Sequence, residues 1–170
     1  MSTEKRARCR CHTLSVSSFA GGHEAFAQGA SANIGTAADA KDVAAIRALL
    51  GRYQDALNAS DTDAVMKVYA ADSVFMPAFS PSAVGASSVR KAYDAVFNAI
   101  KLTVTFDVVE VVKVAPRWAF ARTNSAGKTL IHATGATVAE GNQELFVLHK
   151  QVDGQWKIAR YSFSPTSKPN

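Results

Sequence analysis

From residue 42 to about residue 100 apolar side chains recur every three or four positions; from residue 102 onward they recur every second one. The first stripe, Val43, Ile46, Leu50, Tyr53 and Leu57, is the spacing of one face of an amphipathic helix. "NASDTDAV" ends that helix and starts another, with Ser60 as N-cap, Asp63 three residues on, and Val65, Val68 and Tyr69 as the next apolar stripe. "VFMPAFSPSAVG", with its two prolines, predicts an extended or turning connection. Ser87 then caps a third helix with Val89, Tyr93, Val96, Phe97 and Ile100 on one side.

The change of period marks a change of element. "LTVTFDVVEVVKV", "RWAFARTNS", "KTLIHAT", "EGNQELFVLHKQV" and "QWKIARYSFS" are β-rich runs. They are separated by Pro116-Arg117, by Ser125-Ala126-Gly127, by a glycine-containing loop near residue 135, and by Asp153-Gly154, a strong hairpin signal. Helices followed by a meander of strands predict an α+β fold, with the helices on one face of an antiparallel sheet. No internal repeat interrupts this order.

One strand breaks the rule that apolar residues share a face. In "AEGNQELFVLHK", Glu140, Asn142 and Glu144 fall on the same side as Phe146 and Leu148, because successive residues of an extended chain alternate sides. Leu145, Val147 and His149 point the other way. An acid facing an apolar core is costly unless it is paired or neutralised, so this face is expected to meet something other than a dry core.

Composition narrows the function classes. The chain has 170 residues, 48% of them hydrophobic and 19% charged, the profile of a single globular domain. No window approaches the ~18 consecutive apolar residues of a membrane span, so no membrane partner is expected. The net charge is +5, but residues 1–27 hold four Lys/Arg against two acids, leaving fifteen against twelve with no basic cluster. A nucleic-acid partner is not supported. Both cysteines, Cys9 and Cys11, precede the folded part, which therefore has no disulfide, thiol nucleophile or thiolate ligand. His132 and His149 lack metal-ligand spacing and no phosphate-binding glycine motif is present, so neither metal nor cofactor is expected.

The start of the chain has its own pattern. A basic stretch (Lys5, Arg6, Arg8, Arg10), a weakly apolar run and Ala25-Phe26-Ala27 before Gln28 follow the order of an export signal, and the same residues also fit a disordered tail. Residues 28–41, small and polar, read as linker. The folded domain is expected over 42–164, with 165–170 as a tail; an export signal would place the protein in the periplasm or outside the cell, and a mere tail leaves it cytoplasmic.

The stretches "IRALLGRYQDALNASDTDAVMKVYAADSVFMP", "GASSVRKAYDAVF", "ARTNSAGK", "EGNQELFVLHK" and "GQWKIARYSF" together resemble the SnoaL-like, ketosteroid-isomerase-like branch of the nuclear transport factor 2 superfamily, SgcJ/EcaC-type. The resemblance covers roughly residues 42–164. It implies a cone-shaped, strongly curved antiparallel sheet wrapped around the helices, a cystatin-like roll whose concave face walls a cavity, and a homodimer formed through the outer face. It also supplies an occupant for the face carrying Glu140, Asn142 and Glu144: a small, largely apolar ligand with a polar end. Such pockets host isomerases, cyclases, dehydratases, hydrolases and non-enzymatic association domains alike.

Residue by residue, "RYQDALN" places Tyr53 where ketosteroid isomerases carry a catalytic tyrosine, and Glu144 stands nearest to their protonated Asp, a carboxylic acid kept neutral by an apolar site. Their general-base Asp has no counterpart here, because Met76-Pro77 occupies that place and a thioether cannot take a proton. By strand parity Arg122 shares a face with Trp118 and Phe120, and Tyr161 with Phe163. If those faces are concave, Arg122 approaches Glu144 and cancels its charge. The candidate catalytic set is thus Tyr53, Arg122 and Glu144, and the candidate lining is Met76, Phe120, Glu140, Asn142, Phe146, Tyr161 and Phe163. The same groups also fit a structural role: a core tyrosine, a buried ion pair, a solvated rim. His149 is expected on the outer face, and His132 has no decisive parity.

Overall fold

The computed structural model describes residues 37–166. The expected leader, 1–27, lies outside the described residues, as do most of the linker and residues 167–170. Three helices come first, α1 (Ala37–Ala59), α2 (Thr62–Val68) and, after strands β1 (Tyr69–Met76) and β2 (Ala83–Val84), α3 (Ala86–Ala99). Four long strands follow: β3 (Ile100–Ala115), β4 (Trp118–Ile131), β5 (Thr137–Lys150) and β6 (Trp156–Pro165). They form one open, curved sheet in the order β2-β1-β6-β5-β4-β3. The fold is α+β, as the change of period predicts.

The helix ends differ from the expected ones by a residue or two, for identifiable reasons. Ser60 does not cap α2. It adopts φ 54°, and the bonds Ser60 N to Leu57 O and Asp61 N to Ala56 O, both 3.0 Å, close α1 in a Schellman turn. The cap passes to Asp61, whose carboxylate accepts from Ala64 N at 2.9 Å. Ser87 likewise yields to Gly85, which starts α3 at φ 80° with no side-chain cap.

Five expected β runs become four strands because Ser125-Ala126-Gly127 is not a turn. β4 runs straight through it, and a Cβ on Gly127 would lie 2.0 Å from the Thr103 carbonyl oxygen of β3. The glycine marks a close approach of two backbones, which a strand interior uses as readily as a turn does. The sixth strand, β1, comes from "YAADSVFM"; it pairs parallel with β6 through a register shift between Tyr69 and Val74.

Helix α1 binds the sheet in two ways. Its buried side chains Ile46, Leu50, Tyr53 and Leu57 join Val65, Val89, Phe146, Leu148 and Ile158 in the core. Its polar side chains serve the free edge of β3: Arg47 donates to Val108 O at 3.1 Å. Gln54 accepts from Phe106 N at 2.7 Å, and Asn58 both donates to Val104 O at 2.9 Å and accepts from Val104 N at 2.8 Å. These residues lie seven and then four positions apart on one helix face, and the backbone groups they meet are those an edge strand leaves unpaired. Near the start of α1, at the first residue of the expected domain, buried Asp42 accepts from Lys150 at 2.6 Å, Lys113 at 2.9 Å and the Trp156 indole at 3.1 Å. One carboxylate thereby ties α1 to β3, β5 and β6.

Candidate functional site

Between α1, α3 and the concave face lies a cavity of about 140 Å³. Its walls are mostly apolar: Leu57 from α1, Phe75 and Pro77 from β1 and the residue after it, Val96 from α3, Leu102 and Phe106 from β3, and Tyr161 and Phe163 from β6. One side is polar. Ser125 of β4 and Glu140, Asn142 and Glu144 of β5 face inward together, as the alternation in β5 requires. A wider groove of about 990 Å³ lies along α1, α2 and the start of β6. Its charged residues, such as Arg52, Asp55 and Lys67, are exposed, so the concentration of buried polar groups singles out the smaller, interior cavity.

Glu144 is 5% exposed, and none of the ion pairs among the described residues includes it. Its carboxylate accepts a bond from Thr123 Oγ1 and a longer one, 3.3 Å, from the Tyr161 hydroxyl. Burial pushes its pKa above the ordinary carboxylate value; Thr123, Ser125 and Tyr161 pull against that push, and the neighbouring charge of Glu140 adds to it. Glu140 accepts from Thr129 Oγ1 at 2.6 Å and from Asn142 Nδ2 at 2.9 Å. Asn142 Nδ2 also lies 3.3 Å from Ser125 Oγ, and its Oδ1 has no partner among the described residues.

Beside this wall is a chain of phenols. The Tyr53 hydroxyl is bonded to that of Tyr93, which lies 2.8 Å from that of Tyr69. The Tyr53 ring packs edge-on against Tyr161, centroids 5.6 Å apart. Burial, first of all, raises the pKa of all four tyrosines well above 10, so each keeps its proton and acts as a donor. Three hydroxyls joined by two bonds hold one proton more than those bonds use. That proton goes to the Tyr161 hydroxyl, to which Tyr53 is also hydrogen-bonded.

Several expected placements are corrected. Arg122 does not meet Glu144: its partner across β4–β5 is Leu145, and Thr123 stands opposite Glu144. The guanidinium lies on the convex face, half exposed, in an ion pair with Glu110. Phe120 also points outward, in line with Val112 and Val147. The inward positions of β4 are the small residues Ala119, Ala121, Thr123 and Ser125, because the inside of a tight curve has less room than the outside. Met76 alternates away from the cavity; Phe75 and Pro77 line it instead. Phe146 is fully buried behind the wall, stacked on Tyr161 at 4.3 Å. Tyr53 of α1, Glu140, Asn142 and Glu144 of β5, and Tyr161 and Phe163 of β6 all line the cavity. His132 is exposed and bonded to Asn98 O, and His149 stacks on Trp118 at 4.2 Å.

Tyr93, Tyr69, Phe75, Thr123 and Ser125 escape the sequence reading. The signal for Tyr93 and Tyr69 is a phenol inside an apolar stripe, where a hydroxyl needs a buried partner. The signal for Thr123 and Ser125 is the small-residue alternation of β4.

A helix-lined cavity on a curved sheet, with carboxyl and phenol groups inside, finds its counterpart among known families: the profile of the SnoaL-like domain matches residues 50–161. The chain belongs to the SnoaL-like family. Among solved structures similar to this SnoaL-like protein is a ketosteroid isomerase-like protein from Erwinia carotovora atroseptica SCRI1043. It is 34% identical with a TM-score of 0.73, covering 75% of this chain and 98% of its own. A nuclear transport factor 2-like superfamily protein from Salmonella enterica serovar Typhimurium LT2 shares the fold at 15% identity and TM-score 0.67, covering 77% and 95%. So does a cystatin-like domain of unknown function from Nostoc punctiforme PCC 73102, at 17% identity and TM-score 0.61, covering 79% and 81%. No curated protein matches the sequence. Among the described residues no group of three or more His, Cys, Asp or Glu is placed to hold a metal ion, and no helix is long and apolar enough to cross a membrane.

Proposed function

We propose that this SnoaL-like domain binds, in its interior cavity, a largely apolar molecule about one ring in size with a polar end, and that Glu144 exchanges a proton with that end. The observation that carries the reading is a buried carboxyl group in a cavity wall with no cation from the described residues beside it. Such a group titrates closer to neutrality than a free acid, which suits it to give and take protons. The phenols beside it would steady charge on the ligand through hydrogen bonds that need no rearrangement. Tyr53, through its bond to Tyr93, belongs to that supporting set, and Tyr161 touches the carboxyl directly.

Pro77 favours a second reading, binding without turnover. The resemblance to ketosteroid isomerases implies a general-base Asp at this place, and proline cannot supply one. Following the Glu144 carboxyl carbon by NMR while p-cresol is added tests the first reading. Glu144 should titrate above the ordinary Glu value, and its midpoint should move when the cavity is filled. An ordinary midpoint, or one that p-cresol leaves unmoved, refutes proton exchange at Glu144.

A second copy of the chain is the proposed cover for the convex face. Val112, Val114, Trp118 and Leu145 are exposed there, and the Arg122–Glu110 pair offers both signs of charge, as a self-complementary two-fold contact requires.

A further inference from the structure

We propose that the cavity selects an organic cation: a small arylalkyl- or alkylammonium whose carbon skeleton lies among the aromatic rings and whose nitrogen meets the wall of Glu140, Asn142 and Glu144. The inference rests on the reading of this cavity as the ligand site and adds the charge and hydrogen-bond character of the ligand.

Charge comes first. Among the described residues the lining contains two carboxyl groups and no Lys, Arg or His. None of the ion pairs among the described residues uses Glu140 or Glu144. A buried carboxylate without a counter-ion is a costly arrangement, and a bound cation is the partner that removes the cost. The chain as a whole carries +5, so the acidic wall is a local feature set against the general field of the molecule.

Hydrogen-bond polarity points the same way. Asn142 is only 7% exposed; its amide nitrogen is committed to Ser125 and Glu140, while its Oδ1 has no partner among the described residues. The capacity left over on this wall is acceptor capacity, on the amide oxygen and on the two carboxyl groups. A ligand that satisfies it must bring N–H or O–H donors, and an ammonium brings up to three. A carboxylate or a phosphate would place acceptors against acceptors. Around the rest of the cavity stand Tyr53, Phe75, Tyr93, Phe106, Tyr161 and Phe163. Aromatic rings attract a cation held within about 6 Å of a ring centre, more strongly when water is excluded. The volume of about 140 Å³ admits roughly one ring with a short arm.

The test compares three probes of similar size on the full-length protein at pH 7.5: benzylammonium chloride, benzyl alcohol and benzoate. Calorimetry gives affinities, and the side-chain amide signals of Asn142 in nitrogen–proton NMR spectra report entry into the cavity. Benzylammonium should bind roughly tenfold or more tightly than benzyl alcohol, benzoate should not bind, and the Asn142 signals should shift. Glu140→Gln, a change at a half-buried position whose folding is checked by near-UV circular dichroism, should cut the preference for benzylammonium over benzyl alcohol several-fold. Benzyl alcohol binding as tightly as benzylammonium, with Asn142 signals shifting, overturns the cation preference and leaves the cavity reading standing. Ammonium binding that leaves the Asn142 signals unmoved also overturns the inference, since it places the cation elsewhere. If no probe moves those signals, both readings fall.

Discussion

Asp42 offers the sharpest quantitative test of how α1 is held to the sheet. Burial alone would raise its pKa, but bonds from Lys150, Lys113 and Trp156 outweigh that and lower it from 3.8 to about 2. At ~1.4 kcal/mol for each tenfold change in proton affinity, the difference is about 2 kcal/mol of folding stability. The sign follows from the direction. Because the folded value lies below the unfolded one, the contribution is fully present above the unfolded pKa and is lost as pH falls toward 2. Asp42→Asn removes it at every pH and also leaves the Lys113 and Lys150 ammonium groups without their shared partner. At pH 7 the loss should therefore be about 2 kcal/mol or somewhat more, with ~3–5 as the ceiling for breaking a fully buried pair. In a domain of this size that lowers the melting temperature by roughly 5–10 °C.

Urea unfolding of both proteins at several pH values between 7 and 3 measures it. The gap between wild type and Asp42→Asn should be constant from pH 7 to about 5 and then narrow as the acid arm is entered. A variant as stable as wild type at pH 7 would mean that the cluster contributes nothing net. A gap that stays the same down to pH 3 would mean that the loss arises from packing rather than from the carboxylate.

Other outcomes follow from the site and the convex face. The folded pKa of Glu144 is raised, so its ionised form opposes folding: stability is full below about 4.5 and falls as pH rises through the folded value. Glu144→Gln should accordingly melt higher than wild type at pH 8 and no higher at pH 4; a variant less stable at pH 8 would contradict the burial argument. Arg122→Leu should leave the Glu144 titration where it was, because the guanidinium pairs with Glu110 on the opposite face of the sheet. Light scattering should give a dimer that Leu145→Asp converts to a monomer, and a wild-type monomer at micromolar concentration would remove the dimer proposal. The natural sequence should show no appreciable isomerisation of a 3-oxo-Δ5 steroid. Pro77→Asp puts a carboxyl group into the cavity lining and is the change able to create some, whereas Met76→Asp, on the other side of the strand, should create none.

The wall of the cavity was legible in the sequence because β5 carries its own contradiction: polar and apolar residues on one parity. Alternation in a strand is rigid, so the odd pattern survives folding unchanged, and Glu140, Asn142 and Glu144 stand together as the spacing dictates. β4 was misread because its two parities hold large apolar residues, Trp118 and Phe120, on one side and small ones, Ala119 and Ala121, on the other. Hydrophobicity favours the first set for the interior. Curvature decides for the second, since the side chains of neighbouring elements crowd the concave side and leave room there only for small ones. Arg122 went outward with its strand, and Glu144 lost the partner that parity had assigned it. The consequence reaches the function. An Arg122–Glu144 pair would have set a cation beside the wall and cancelled the charge of Glu144, leaving Glu140 alone, whereas the wall as folded is acidic, rich in acceptors and without a cation from the described residues. One inverted strand thus narrows the ligand proposed for the cavity from a largely apolar molecule with a polar end to one whose polar end is a donor carrying positive charge.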